Sequence, residues 1–112
     1  MTHPLRVLLF LRVADGAQDR FLAAYESIRH RVAAAPGHLG EELGQSPSDP
    51  RNWLLTSEWE TPEHYRAWAR QAGFAELSDP IVAVTESHEH RAYLVRLCTP
   101  ERKEFADAAD RD

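Results

Sequence analysis

The sequence has little cysteine, no long hydrophobic run and a deficit of positive charge. With Cys98 alone the chain cannot form an internal disulfide, so it does not need an oxidising compartment. The apolar stretch at Leu8–Leu11 is far shorter than the roughly 18 residues of a membrane span, and arginines bracket it. We therefore expect a cytoplasmic protein that has no membrane partner.

The charge balance narrows the range of partners further. There are 13 Lys and Arg residues against 18 Asp and Glu residues, which gives a formal net charge of -5. Because phosphate recognition needs a basic surface, this balance argues against nucleic acid as a partner. A chain of 112 residues fits one domain, and a core of that size buries only a modest share of its surface. Dimerisation would add to that buried share.

The first half of the chain alternates between strand and helix patterns. Residues 5–13 predict a strand that is apolar on both faces, so a partner subunit is the expected cover for its second face. Residues 17–35 predict a helix with an apolar stripe, with Asp15 as the N-cap and Gln18 as its capping-box partner. Pro36-Gly37 is expected to end this helix.

The second half repeats the alternation. Residues 38–45 and 52–60 predict a hairpin of two strands. Thr61-Pro62 predicts a helix start, with a hydroxyl N-cap and proline at the first helical position. That helix runs to about residue 72, with a short helical continuation through Phe74 and Leu77 to residue 84. Residues 90–97 predict the last strand.

The order βαββαβ predicts an α+β, ferredoxin-like fold with an antiparallel sheet. We expect one domain over residues 1–98. The charged segment 99–112 lacks an apolar stripe, so we expect a tail that is partly disordered or reaches the partner subunit.

Three stretches of the sequence resemble the antibiotic biosynthesis monooxygenase family. They are Pro36–Gly40 followed by Leu43, the segment Leu54–Glu60, and the acid-rich helix start that leads to Trp68. The resemblance covers residues 5–97 and implies a dimeric α+β barrel, hence a homodimer. Some members of this family oxidise aromatic polyketides to quinones with O2 and without metal, flavin or haem, while others cleave haem. Fold is implied more strongly than activity.

The haem-cleaving branch has its own residue pattern: an Asn on the first strand, a Trp on the second helix and a His further along the chain. Trp68 matches the tryptophan of that pattern. Leu9 stands at the asparagine position and Ser78 at the histidine position. Because an axial His ligand is missing, the resemblance disfavours haem cleavage and implies no cofactor.

Aromatic residues gather around the second helix. His64 and Trp68 are four residues apart and share a helix face, while Tyr65 precedes Trp68 by three residues. Trp59 ends the preceding strand. We predict that these side chains wall a flat pocket for a polycyclic phenol. The alternative is that the three larger aromatics are ordinary core residues and that His64 is solvated.

Other residues complete the predicted site. Leu9 and Phe74 would extend its apolar lining, and Arg96 would pair with an anionic substrate oxygen, although strand-end arginines more often form surface ion pairs. His88 and His90 share one face of an extended segment. A zinc site normally needs three or four protein ligands, so we expect no metal and assign His90 as a proton acceptor.

Two further patterns exclude other chemistry. Glu41 and Glu42 are neighbours on a strand, so they point to opposite faces and cannot form a carboxylate pair. Gly37 and Gly40 lack the strand-loop-helix context of a dinucleotide site, so we expect no nucleotide cofactor.

The resemblance therefore implies a cofactor-independent monooxygenase that converts a phenol or anthrone to a quinone. His64 or His90 would remove a proton from a substrate bound beside Trp68, and the resulting carbanion would react with O2. Two alternatives remain open. One is a polyketide cyclase that closes a ring without consuming O2, and the other is a dimer that binds an aromatic ligand without turnover.

Overall fold

The computed structural model of the protein describes residues 3–71 and 79–101. Within these residues, four strands and two helices whose bounds are fully described follow one another in the order β1 (Leu5–Val13), α1 (Gln18–Ala33), β2 (His38–Gln45), β3 (Asn52–Trp59), α2 (Pro62–Ala69) and β4 (Thr85–Leu94). The strands form one antiparallel sheet in the order β2-β3-β1-β4. This arrangement confirms the predicted α+β, ferredoxin-like fold and the hairpin of β2 with β3.

The two faces of the sheet differ because side chains alternate along each strand. On β1, Val7, Leu11 and Val13 are buried, whereas Arg6 and Arg12 are exposed. The first set belongs to what we call the helix face, which packs against α1. The second set belongs to the outer face, to which no described helix contributes a buried core residue.

Two groups of buried side chains hold α1 against the helix face. Phe21 near the start of α1 packs with Trp53 of β3, at a ring-centroid distance of 5.2 Å. Val32 near its end packs in a second cluster with Trp59. Burying side chains of this size contributes roughly 1.5–3 kcal/mol each, so both ends of the helix are fixed.

The N-cap predicted for α1 was wrong. The helix begins at Gln18 with Ala17 at the N-cap position, and no side chain caps it. The Ala17 amide donates to the Ala14 carbonyl, and Gly16 adopts a positive φ of 74°, so the turn places Asp15 two positions before the N-cap, too early to cap. Ala17 is fully buried in the core, which explains why burial selects this residue over a polar cap.

The start of α2 agrees with the sequence. Thr61 is the N-cap, its side chain accepts a hydrogen bond from the His64 amide, and Pro62 occupies the first turn.

The predicted bounds of the last strand were wrong. β4 begins at Thr85 rather than at residue 90, and it ends at Leu94. It is an edge strand whose residues are mostly exposed, so its first half carries polar side chains and lacks an apolar alternation. Residues 79–82 are helical, as part of the predicted continuation. Residues 83 and 84, predicted as the end of that continuation, form a turn instead. Residues 72–78, with Phe74, Leu77 and Ser78, lie outside the described residues, as does most of the tail, 102–112.

In residues 3–71 and 79–101, no helix is long and apolar enough to cross a membrane.

Candidate functional site

A cavity of about 300 Å³ lies between the helix face of the sheet and the two helices. This volume is at the lower end of the range for small-molecule sites. The lining comes from all four strands, both helices and the segment before β4: Val7, Leu9, Leu11, Tyr25, Ile28, Val32, Glu41, Leu55, Ser57, Trp59, Tyr65, Trp68, Ile81, Val82, His88 and His90. Most of these side chains are apolar, so the few polar ones stand out.

One wall of the cavity is aromatic, because β3 ends on the helix face and α2 starts three residues later. Trp59 is fully buried, and its ring centroid lies 5.6 Å from that of Tyr65 and 5.4 Å from that of Trp68. The indole N–H of Trp59 donates to the Ser57 hydroxyl at 3.1 Å. The wall therefore has no unsatisfied indole at Trp59 and offers faces for stacking.

Tyr65 and His90 join this wall to the opposite edge of the sheet. The Tyr65 hydroxyl lies 2.7 Å from His90 Nε2, and the two rings stack at a centroid distance of 5.8 Å. Burial raises the pKa of Tyr65, so the phenol stays protonated and can donate to Nε2. The strand register accounts for the position of His90 in the cavity. His90 pairs with Leu9, which is the middle one of the three β1 residues that line the cavity.

The structure does not bring His64 into the cavity. Its Nδ1 lies 2.8 Å from the Thr61 hydroxyl, and its ring lies against Gly37. A Cβ at Gly37 would stand 2.3 Å from His64 Cγ, so the turn between α1 and β2 accepts this ring only because the residue is glycine. His64 therefore packs the start of α2 against that turn, and its predicted role as a base loses its geometric support.

Of the remaining predicted site residues, one lines the cavity and one does not. Leu9 lines the cavity between Leu55 and His90. Arg96 follows the end of β4, is exposed and is absent from the cavity lining. Phe74, the other predicted lining residue, lies outside the described residues.

Sequence reasoning missed a polar group at the β2 end of the cavity. Glu41 lines the cavity although its side chain is only 10% exposed, and its Oε2 accepts a hydrogen bond of 2.7 Å from the Tyr25 hydroxyl. Burial raises the pKa of Glu41, and the bond from Tyr25 opposes that shift. Burial, followed by the bond to Glu41, raises the pKa of Tyr25. The signal was available, because Glu41 shares a strand face with Leu43 and Tyr25 lies in the apolar stripe of α1.

His38, the first residue of β2, lies near Glu41. Its side chain is 5% exposed, and Nε2 lies 3.9 Å from Glu41 Oε1, which is too long for a hydrogen bond. No described residue provides Nε2 with a partner. Burial lowers the pKa of His38, so the ring is held neutral.

His88 and His90 both line the cavity. Across the part of the chain that the structure describes, no group of three or more His, Cys, Asp or Glu residues is placed to hold a metal ion.

Comparison with known proteins gives a consistent result. The family model described as antibiotic biosynthesis monooxygenase matches residues 4–79. The chain is 44% identical over 93 residues to the 42.8 kDa protein in the whiE locus of Streptomyces coelicolor, covering 82% of this chain and 23% of that protein. It is 42% identical over 77 residues to polyketide synthase CurD of Streptomyces cyaneus, covering 69% of this chain and 20% of that protein. The chain thus spans about a quarter or less of these two relatives.

Among solved structures, the fold is similar to that of SnoaB, a cofactor-independent oxygenase from Streptomyces nogalater. The TM-score is 0.81 at 19% sequence identity, over 89% of this chain and all of SnoaB. At this identity the similarity supports the fold and leaves the activity to other arguments.

Proposed function

Because the chain belongs to the antibiotic biosynthesis monooxygenase family, we propose that it is a cofactor-independent monooxygenase that oxidises an aromatic polyketide, a phenol or anthrone, to a quinone. The observation that carries the proposal is the aromatic wall of Trp59, Tyr65 and Trp68, beside the Tyr65–His90 hydrogen bond in one cavity. A planar ring system can stack on the wall, and a proton acceptor lies within reach of it.

The base in this proposal is the Tyr65–His90 pair. The substrate transfers a proton to the Tyr65 oxygen while Tyr65 passes its own proton to His90 Nε2, so His90 carries the proton. A relay of this kind requires a short hydrogen bond, and 2.7 Å satisfies that requirement. Imidazole suits the role because a neutral ring has one nitrogen that can accept a proton.

The substrate carries out the redox chemistry. The carbanion left by proton removal transfers one electron to O2, and the substrate radical and superoxide combine to form a C–O bond. The peroxide anion takes the proton back from the Tyr65–His90 pair to give a hydroperoxide. Loss of the carbon-bound hydrogen and of hydroxide, together one water, leaves the quinone carbonyl. One O2 is consumed and one water is released for each quinone formed.

The protein contributes orientation and exclusion of water. Trp59 and Trp68 hold the ring system, while Leu9 and Leu55 line the sheet side of the cavity with apolar surface. A reaction between a bound carbanion and O2 benefits from both, because water would reprotonate the carbanion.

We also propose that the protein is a homodimer formed through the outer face of the sheet. Phe10 is 36% exposed and Tyr93 is 51% exposed on this face, and the Arg91 guanidinium lies 5.9 Å from the Phe10 ring centroid. Apolar and aromatic surface of this kind is typical of protein interfaces. Covering it would also bury the second apolar side of β1.

The test is O2 uptake by the purified, metal-stripped protein with a panel of anthrones and polycyclic phenols, with products followed by mass. We expect one O2 per product, a gain of one oxygen and a loss of two hydrogens, above the rate seen with heat-denatured protein. Loss of water from a poly-ketone without O2 uptake would instead identify a cyclase, the alternative consistent with the relative named as a polyketide synthase. Ligand binding without either reaction would identify a binding protein.

A further inference from the structure

We propose that Glu41, positioned by Tyr25, is a second polar group of the site and binds a carbonyl or phenolic oxygen of the substrate at the end of the cavity opposite His90. This inference deepens the proposed function and rests on a polycyclic ligand occupying the cavity. Its test is a binding measurement and requires no turnover.

The two polar ends of the cavity lie at opposite edges of the sheet, one at β2 and the other at β4. Glu41 on β2 pairs with Ser57 on β3, Ser57 pairs with Val7 on β1, and Val7 pairs with Ala92 on β4. Three strand spacings of about 4.8 Å therefore put the backbone of Glu41 roughly 14 Å from β4, which carries His90. Both side chains line the same cavity. A ligand that contacts both must cross the sheet, as an elongated fused-ring system does.

Glu41 is held in one orientation. Tyr25 from α1 donates to Oε2, and Ser57 lies opposite on β3. The other oxygen, Oε1, lies 3.9 Å from the unpartnered Nε2 of His38. A single carboxyl group at an apolar cavity wall, with one oxygen fixed by a tyrosine, matches the sparse and well-placed polar groups that orient a ligand.

The protonation state determines what Glu41 can bind. Burial is the larger influence and raises the pKa of Glu41, which favours the neutral acid. A neutral carboxyl group donates one hydrogen bond, and a carbonyl oxygen accepts it. The titratable and charged groups around the pair are Tyr25 itself, Glu26 and Arg29 on α1, His38 on β2, and Tyr65, His88 and His90 across the cavity.

The two ends of the cavity act together in this arrangement. When the Tyr65–His90 pair removes a proton from the ligand, negative charge moves onto a conjugated oxygen. A donor already positioned at that oxygen stabilises the charge without reorganisation. Glu41 keeps its proton in this step, and the hydrogen bond to the oxygen strengthens.

The test uses two probes with the same three-ring outline: 1,4-anthraquinone (below, anthraquinone), which has two carbonyl groups on a terminal ring, and anthracene, which has C–H groups at those two positions. Binding is followed by quenching of tryptophan fluorescence, since Trp59 and Trp68 line the cavity. Glu41→Leu should weaken anthraquinone binding roughly tenfold, the equivalent of one hydrogen bond, and leave anthracene binding unchanged. Glu42→Gln is the matched control, because Glu42 is the next residue on β2 and points to the outer face.

A pH series separates a ligand contact from a structural one. For the wild-type protein, affinity for anthraquinone should fall as the pH rises through the Glu41 pKa, because only the neutral acid donates. Glu41→Gln keeps an oxygen acceptor for Tyr25 and does not titrate, so that part of the pH dependence should disappear while the melting temperature is retained.

Three results would overturn the inference, and one of them also bears on the proposed function. Equal anthraquinone affinity in Glu41→Leu and wild type would show that Glu41 makes no ligand contact. Equal weakening of both probes would show that Glu41 only supports the fold. Failure of the wild-type protein to bind either ring system would overturn the polycyclic ligand itself, and with it the proposed function.

Discussion

Tyr65 and His90 are 25 residues apart in sequence, yet the phenol oxygen and the imidazole Nε2 lie 2.7 Å apart and the rings stack. One residue comes from a helix and the other from an edge strand. The hydrogen bond therefore ties α2 to the far side of the sheet across the cavity.

If the pair transfers a proton as a unit, its members should not contribute independently. His90→Gln and Tyr65→Phe are each expected to lower the rate of quinone formation by about 100-fold or more, the usual contribution of a general base. The double variant should be little worse than either single variant, because each change already breaks the relay. His30→Gln, at an exposed position on α1, should leave the rate unchanged. Additive losses in the double variant would contradict the relay.

Because Gly37 lies against the His64 ring, substitutions at the two positions should change the free energy of unfolding non-additively. Gly37→Ala should destabilise the protein by more than about 1 kcal/mol, because φ is +82° and the new Cβ would collide with the His64 ring. His64→Ala removes the collision and should recover part of that loss in the double variant, leaving the cost of the backbone conformation. Urea denaturation measures all three values. Simple additivity would show that the collision is relieved in some other way.

His64→Ala also distinguishes the two bases that the sequence suggested. The ring lies outside the cavity, so the single variant should retain its rate of O2 consumption at a temperature where it remains folded. A loss comparable to that of His90→Gln would return His64 to the chemistry.

The buried imidazole of His38 predicts a loss of stability in acid. The folded state lowers the pKa of His38 below its ordinary value of 6.5, so the unfolded chain binds the proton more tightly. The free energy of unfolding should therefore fall as the pH drops below about 6.5. Glu41 contributes with the opposite sign, since its raised pKa lets the folded state hold a proton that the unfolded chain releases above 4.5. His38→Phe isolates the first effect.

Thermal melts of His38→Phe and wild type at a series of pH values between about 7.5 and 5.5 measure this effect. The variant should lose less stability on acidification, and its ring can still pack edge-on against Trp59, which His38 contacts at a centroid distance of 5.0 Å. Parallel pH profiles for the two proteins would show that His38 does not titrate on unfolding in this range.

The outer face of the sheet predicts how the dimer can be broken. Phe10→Glu places a charge in the proposed interface and should give a monomer by sedimentation velocity, since an unpaired buried charge is strongly unfavourable. Leu22→Glu on α1 is a close control, because Leu22 is 37% exposed and Phe10 is 36% exposed. Dissociation by the Leu22 change alone would move the interface to the helical side.

The fold was predictable from the sequence wherever burial imposes a period. β1 carries apolar residues on both faces, β3 carries Trp53, Leu55 and Trp59 on one face, and Thr61-Pro62 marks a helix start by local chemistry. The start of β4 was not predictable, because an exposed edge strand takes its conformation from pairing with β1 along its whole length. The N-cap prediction for α1 was wrong for a related reason, because burial of Ala17 outweighs a local capping preference.

The candidate site, too, was predictable only in part. Helical spacing was enough to bring Tyr65 and Trp68 together with Trp59, because they share one surface. Spacing alone assigned His64 to the same surface and failed, since a first-turn side chain can also reach the preceding turn. Glu41 was set aside because it has no carboxylate neighbour on its face, and its actual partner, Tyr25, comes from another element.

The cavity is also directional. At the β2 end Glu41 is 10% exposed, whereas at the β4 end His88 and His90 are exposed. A ligand must therefore thread in past the imidazoles and stop at the carboxyl group, with one end leading. Bulky decoration on the trailing end, such as a sugar or a long alkyl chain, would remain in solvent, while the leading rings would have to be bare. Substrate selection by this protein would then depend on which end of a molecule is modified more than on how large the molecule is.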